Sequence, residues 1–238
     1  MSKSFPFSAI VGQDEMSLAL ILVAIDPSIG GVLVLGDRGT GKSTAVRALA
    51  NVLPSLKVVK GCRCNCEPGY ESVLCDDCLK QISQKKITAK QKLRSETIPV
   101  PVVDLPLGVT EDRVVGSLNM QSALTEGIKK FEPGLLAEAN RGFLYIDEVN
   151  LLEDHLVDLL IDVAASKENI VEREGLSLTH PANFVIVGSG NPEEGDLRPQ
   201  LLDRFGFSVE VTTPTDLNER VEVIKRRQAF DLDYNSFV

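Results

Sequence analysis

Residues 36–44 read GDRGTGKST, with GGVLVLGD leading in over 30–37 and STAVRALANVLP running on over 43–54. Four consecutive apolar residues, Val32 to Leu35, predict a short buried strand. The Ala, Val and Leu of the following stretch recur at helical spacing and predict a helix that Pro54 stops. Between them lie Gly36, Gly39 and Gly41, which let the backbone curl where side-chain-bearing residues resist.

Strand, glycine loop and helix in that order fit G-x-x-x-x-G-K-[ST]. The physical reading is an anion cradle. Backbone N–H groups of Gly36, Asp37, Arg38, Gly39, Thr40 and Gly41 turn inward on phosphate oxygens, and Lys42 sets a cation on the β- and γ-phosphates. Ser43 offers a hydroxyl to Mg²⁺, Thr44 follows it, and the helix adds its positive N-terminus. ATP with Mg²⁺ is the expected cofactor.

Working outward, FLYIDE (143–148) is an apolar strand that ends in Asp147 and Glu148. Two carboxylates closing a buried strand are costly unless something uses them. Asp147 suits Mg²⁺, and Glu148 suits the general base that polarises an attacking water. VIVGSGN (185–191) is a further buried strand, ending in Asn191, a hydrogen-bonding residue for the γ-phosphate or that water. LRPQLLDRF (197–205) carries Arg198 and Arg204; spacing does not choose between an arginine that reaches a neighbour's phosphate and one paired with Asp203.

The remaining elements alternate. Asp14 is a candidate N-cap for a helix over LALILVAI that ends near Asp26-Pro27. VPVVDLP reads as a strand, NMQSALTEG as a helical turn and FEPGLLAEAN as a helix. HLVDLLIDVAAS reads as a helix, NIVEREGLSLTHPA as a hairpin around Gly175 and LNERVEVIKRRQAF as a charged helix. Strands alternating with helices predict an α/β fold with a parallel five-stranded sheet covered on both faces. The chain of 238 residues is sized for one such domain.

Apolar residues make up 43% and the formal net charge is -9. The acidic balance disfavours a sequence-independent grip on nucleic acid. No apolar run approaches the ~20 residues of a membrane span, and the N-terminal segment lacks a leader's apolar region, so a cytoplasmic setting, or a plastid stroma, is expected. His155 and His180 carry no further site. No apolar cleft is signalled.

All five cysteines lie between residues 62 and 78, as Cys62-x-Cys64-x-Cys66-x8-Cys75-x2-Cys78. Clustering in one insertion, residues 60–97, argues against a disulfide scaffold. Cys75 and Cys78 have the bite for a tetrahedral ion, and Cys62 and Cys66 are the favoured pair to complete it. Structural zinc, an iron–sulfur centre, a redox switch and a metal-free thiol loop all remain open readings.

In its motif order the chain resembles AAA+ ATPases, and more closely the I subunits of magnesium chelatase. The matching stretches are FPFSAIVGQDEM, GGVLVLGDRGTGKST, VDLPLGVTEDRVVGSL, FEPGLLAEANRGFLYIDEVNLL, VEREGLSLTHPANFVIVGSGNPEEG and LRPQLLDRFG. The resemblance implies an αβα sandwich with the AAA+ strand order. It makes Gly36 to Thr44 the Walker A loop, Asp147 and Glu148 Walker B, and Asn191 sensor 1. Arg204 becomes the finger that acts on the adjacent subunit, and Val11, Gly12 and Gln13 lie near the adenine.

It further implies a ring, commonly a hexamer, a D-type partner with AAA+-like and integrin-type domains, and a porphyrin-binding H-type partner. DLPLGVTEDRVVGSL matches an insertion in helix 2, and NIVEREGLSLTHP a hairpin before sensor 1. Two departures stand out. Family members continue into a helical lid, so residues 1–238 are expected to form the core domain alone. Many plant and cyanobacterial members lack the cysteine insertion. A cobalt chelatase ATPase, another AAA+ remodelling machine and an ATP-gated scaffold with little hydrolysis are the alternative readings.

Overall fold

The computed structural model describes residues 4–85, 93–118, 131–173, 176–191, 202–203 and 205–237. The helical turn expected over 119–127, the bend at Gly175, and Arg198 and Arg204 lie outside the described residues. In chain order the principal elements are α1 (Asp14–Ile25), β1 (Val32–Gly36), α2 (Lys42–Val52), β2 (Leu56–Val59), α3 (Asp76–Lys85), β3 (Ser95–Ile98) and β4 (Val102–Leu105). There follow α4 (Glu111–Val115), β5 (Gly116–Leu118), β6 (Phe131–Pro133), α5 (Leu135–Ala139), β7 (Phe143–Ile146), α6 (Asp154–Ser166), β8 (Glu168–Arg173) and β9 (Leu176–Pro181). The last are β10 (Val185–Gly190), β11 (Phe207–Val211), α7 (Leu217–Leu232) and α8 (Tyr234–Phe237).

Five strands form one sheet in the order β11-β1-β10-β7-β4. Every neighbouring pair is parallel, with Val32 opposite both Val187 and Phe207, and Phe143 opposite both Val185 and Val102. Numbered along the chain, these strands read 5-1-4-3-2, the order that the AAA+ resemblance implies. The αβα sandwich expected from the sequence is what forms.

Side-chain alternation divides the core into two halves. Val32, Val34, Phe143, Tyr145, Val185 and Val187 face α1 and α2, where they meet Met16, Leu20, Val23, Val46 and Leu49. Leu33, Leu144, Ile146 and Ile186 face the other way, onto Val114, Leu136, Leu156 and Leu160 of α4, α5 and α6. Leu20, Val23 and Val32 are each 0% exposed, and such a burial stabilises by about 1.5–3 kcal/mol per side chain. Among the described residues no helix is long and apolar enough to cross a membrane.

Two local expectations change. The helix read over FEPGLLAEAN is divided: residues 131–133 form β6, antiparallel to β5, and only Leu135–Ala139 is helical. Gly134 lies at the break, where an added Cβ would stand 2.3 Å from the Val114 carbonyl oxygen. Contact with α4, not local propensity, sets that boundary. Asp14 is the first residue of α1, and Gln13 holds the cap position without a side-chain cap. The Gln13 amide donates instead to the Thr212 carbonyl at 3.0 Å, just past β11.

The cysteine insertion is closed at its neck by the antiparallel pair β2–β3, Leu56 opposite Ile98 through Val59 opposite Ser95. Its own small core joins Val59, Leu74 and Leu93 to Cys64, Cys66, Cys75 and Cys78, packed on Ala137 of α5.

Candidate functional site

β1, β10 and β7 are neighbours and run the same way, so their C-terminal ends share one rim of the sheet. The glycine loop leaves β1 there, Asp147-Glu148 leaves β7, and Asn191 leaves β10. A crevice at that rim is where open α/β sheets take ligands. A pocket of about 460 Å³ opens there, lined by Arg38 and residues 39–44 on one side. Asp147, Glu148, Ser189, Gly190 and Asn191 line the other.

The loop is shaped to leave room. Gly39 and Gly41 have φ of +83° and +86°, and an added Cβ at either would meet nothing within 4 Å. Lys42 Nζ reaches back to the Gly36 carbonyl at 2.5 Å and the Asp37 carbonyl at 3.0 Å. Thr40 Oγ1 also donates to the Asp37 carbonyl, at 2.9 Å. Gly36 and Asp37 therefore serve as acceptors that hold the loop, while residues 38–44 face the pocket. A cradle of this form, with a lysine, the hydroxyls of Thr40, Ser43 and Thr44 and the first turn of α2 around open space, fits a polyphosphate with its Mg²⁺.

The two acids are held differently. Asp147 Oδ1 accepts from Ser189 Oγ at 2.6 Å and from the Tyr145 hydroxyl at 3.2 Å. Burial pushes the Tyr145 phenol up to about 12, so it remains an O–H donor. Glu148 has φ +55°, in the left-handed region, a conformation that costs of order 1–3 kcal/mol and persists only where neighbours impose it. Its N–H donates to Ser189 Oγ at 3.2 Å. Its carboxylate accepts from Arg38 Nη2 at 2.5 Å and Nε at 3.1 Å.

Ser189 thus ties both acids to β10, a role that no motif in the sequence assigns. One signal was available. Ser189 shares the parity of Val185 and Val187, so a hydroxyl on that buried face needs a partner, and it is 1% exposed. Nothing in the spacing announced that Arg38 would meet Glu148. Asn191 lies at the pocket wall as expected, and is 7% exposed.

A second cavity, of about 390 Å³, adjoins the loop. It is walled by Phe5, Ile10, Val11, Gln13, Pro214 and Ile224, with Gly39, Gly41 and Thr44 at its floor. Val11 and Gln13, two of the three residues that the resemblance sets near the adenine, line this cavity. Gly12 packs against Pro214 and Glu219. No run of the sequence signals this cleft, which arises because three segments far apart in the chain converge.

The structure brings Cys62, Cys66, Cys75 and Cys78 together, their sulfurs all within 4.8 Å of one another. All five cysteines are free thiols. The cluster lies at the opposite rim from the phosphate pocket. Asn140, just before β7, donates to the Cys64 carbonyl at 2.7 Å and accepts from Asn183 N–H at 2.9 Å, just before β10. Asn65 Nδ2 donates to the Glu138 carbonyl at 2.8 Å, and Arg141 lies 3.7 Å from Glu67.

His155 is exposed, 3.4 Å from Glu153. His180 is buried, its Nε2 2.9 Å from Asn169 Nδ2, which also donates to the Val115 carbonyl at 2.9 Å. Asn169 thereby fastens the β8–β9 hairpin to the end of α4, and His180 braces its amide.

The family profile described as magnesium chelatase, subunit ChlI, matches residues 116–204. The magnesium-chelatase 38 kDa subunit of Acidiphilium rubrum is 64% identical over 98% of this chain and 66% of its own length. That of Cereibacter sphaeroides is 65% identical over 100% of this chain and 68% of its own length. Among solved structures, a chain from a cryo-EM complex between subunits BchI and BchD of magnesium chelatase superposes with a TM-score of 0.78. It is 61% identical, with 99% of this chain and 70% of that chain covered. The chain spans about two thirds of the length of these curated relatives. With identity of this order running from end to end of the sandwich just described, the chain belongs to the ChlI family of magnesium chelatase subunits.

Proposed function

We propose that this chain binds and hydrolyses Mg-ATP as the ATPase subunit of a magnesium-chelatase-type complex. Turnover in an oligomeric ring would then support insertion of Mg²⁺ into protoporphyrin IX by a partner subunit. One observation carries the reading: the glycine loop, both acids and Asn191 line a single pocket. Residues 1–238 act as the nucleotide-binding core, with 60–97 as an appendage.

The roles follow from position. Lys42 exchanges the loop carbonyls for β- and γ-phosphate oxygens. Ser43 and Asp147 hold Mg²⁺, which supplies charge neutralisation on those oxygens when bound. Glu148 takes the proton of the attacking water, and Asn191 orients that water. Arg204 serves the nucleotide of the adjacent subunit, which makes a ring, by family resemblance a hexamer, the working unit. The four-cysteine cluster supplies no group to this chemistry.

The neighbour solved as a BchI–BchD complex supports a D-type partner. An H-type subunit that binds the porphyrin completes the scheme, in the cytoplasm or a plastid stroma. A second reading, an ATP-gated scaffold with little turnover, draws on the Arg38–Glu148 pair, which occupies the proposed base. Phosphate release by the purified chain, with and without the D-type partner, separates the two. Glu148→Gln is expected to lower kcat by about 10²–10⁴-fold while nucleotide binding is retained. Unchanged turnover in Glu148→Gln would remove the base from Glu148.

A further inference from the structure

We propose that Cys62, Cys66, Cys75 and Cys78 bind one Zn²⁺ ion as a closed tetrahedral site, and that this ion is the keystone of the insertion. The geometry carries it. Zinc–thiolate bonds of about 2.3 Å set the edge of an S₄ tetrahedron at about 3.8 Å. The Sγ atoms of Cys62 and Cys75 stand 3.7 Å apart, and all four sulfurs fall within 4.8 Å. An iron–sulfur cluster interposes several atoms between its thiolates and spreads them wider. Four thiolates at this spacing suit a single zinc ion, and four ligands leave no open position for catalysis.

The backbone around the sulfurs is arranged for thiolates. Cys64 N–H donates to Cys62 Sγ at 3.4 Å, and Cys75 N–H to Cys66 Sγ at 3.2 Å. Such donors orient metal ligands and stabilise their charge. Asn65 takes φ +46° in the turn from Cys62 to Cys66, which lets the two sulfurs of that turn converge. Three of the four ligands are buried, so binding removes four thiol protons to solvent and leaves a compact unit.

Cys64 is the odd member. It is buried at 4% exposure, yet its sulfur is not one of the four. Its backbone does the joining: N–H to Cys62, carbonyl to Asn140. The ion therefore fixes a turn whose other side is fastened to the entry of β7. This site stands independently of the nucleotide reading, because its first readout is metal content.

Elemental analysis of the whole chain, purified without chelators, is expected to give ~1 zinc per chain. Cys66→Ser and Cys78→Ser are each expected to lose at least tenfold of that content, and Cys64→Ser to retain it. Should the serine variants fail to fold, Co²⁺ exchanged into the unmutated chain is expected to show the visible d–d bands of a tetrahedral thiolate site. Stoichiometric iron with sulfide would overturn the proposal. So would a chain without zinc that yields no such Co²⁺ bands, or a Cys64→Ser variant as metal-poor as Cys66→Ser.

Discussion

Replacing Ser189 by alanine removes one hydroxyl and disturbs both acids. The Ser189 Oγ donates to Asp147 at 2.6 Å and accepts from the Glu148 N–H at 3.2 Å. A hydrogen bond to a charged group contributes about 1.5–3 kcal/mol. If the turnover step needs Asp147 held where it is, that loss corresponds to roughly 10- to 150-fold in kcat. Glu148, left-handed at φ +55°, also loses one of the contacts that impose its conformation. The assay is steady-state phosphate release, with KM and nucleotide affinity measured alongside and a urea midpoint to check the fold. The expected pattern is a fall in kcat with little change in affinity. Ser189→Thr, which keeps the hydroxyl, is expected to recover part of the rate. A kcat within twofold of the parent, or a loss confined to KM, would refute Ser189 as the positioning residue for the acids.

Three further outcomes are expected. Asn140→Ala leaves the Cys64 carbonyl and the Asn183 N–H without their partner, which costs about 2–4 kcal/mol. A denaturant midpoint reads this, and Asn140→Asp, which keeps the acceptor but sets a buried carboxylate oxygen against the Cys64 carbonyl, is expected to cost at least as much. Gly36→Ala places a Cβ 1.9 Å from the Val211 carbonyl oxygen at φ +144°; the β1–β11 pairing must move, and both stability and nucleotide binding are expected to drop. Tyr145 has its folded pKa raised to about 12, above the ordinary ~10 of the unfolded chain. Its contribution is therefore complete below ~10 and is lost as pH rises through ~12. Urea midpoints on either side of that window are expected to fall in the parent, and to fall less in Tyr145→Phe.

The sheet and its rim were legible because they rest on short-range signals. Apolar runs of four to six residues closed by glycine, acid or asparagine give strands and their functional ends. A parallel order then obliges Gly41, Asp147 and Asn191 to meet. Spacing also singles out Cys62, Cys66, Cys75 and Cys78, the four whose sulfurs gather within 4.8 Å of one another. What stayed hidden depends on long-range approach. The break at Gly134 answers to Val114, and the pairing of Arg38 with Glu148 spans 110 positions. The cavity beside Val11 exists only once Pro214 and Ile224 are folded against it. His180 gave no hint of its partners, since Asn169 lies across a hairpin from it.

β7 and β10 lie side by side, and each is only four to six residues long, about 13–20 Å at the rise of an extended chain. Their feet are stapled together by Asn140, whose other hand grips the turn of Cys62 to Cys66 at the Cys64 carbonyl. Their tips carry Asp147 and Ser189. A short stiff rod cannot pivot at its base without swinging its far end, so whatever slackens the thiol knot is felt a strand's length away as misaim between carboxylate and hydroxyl.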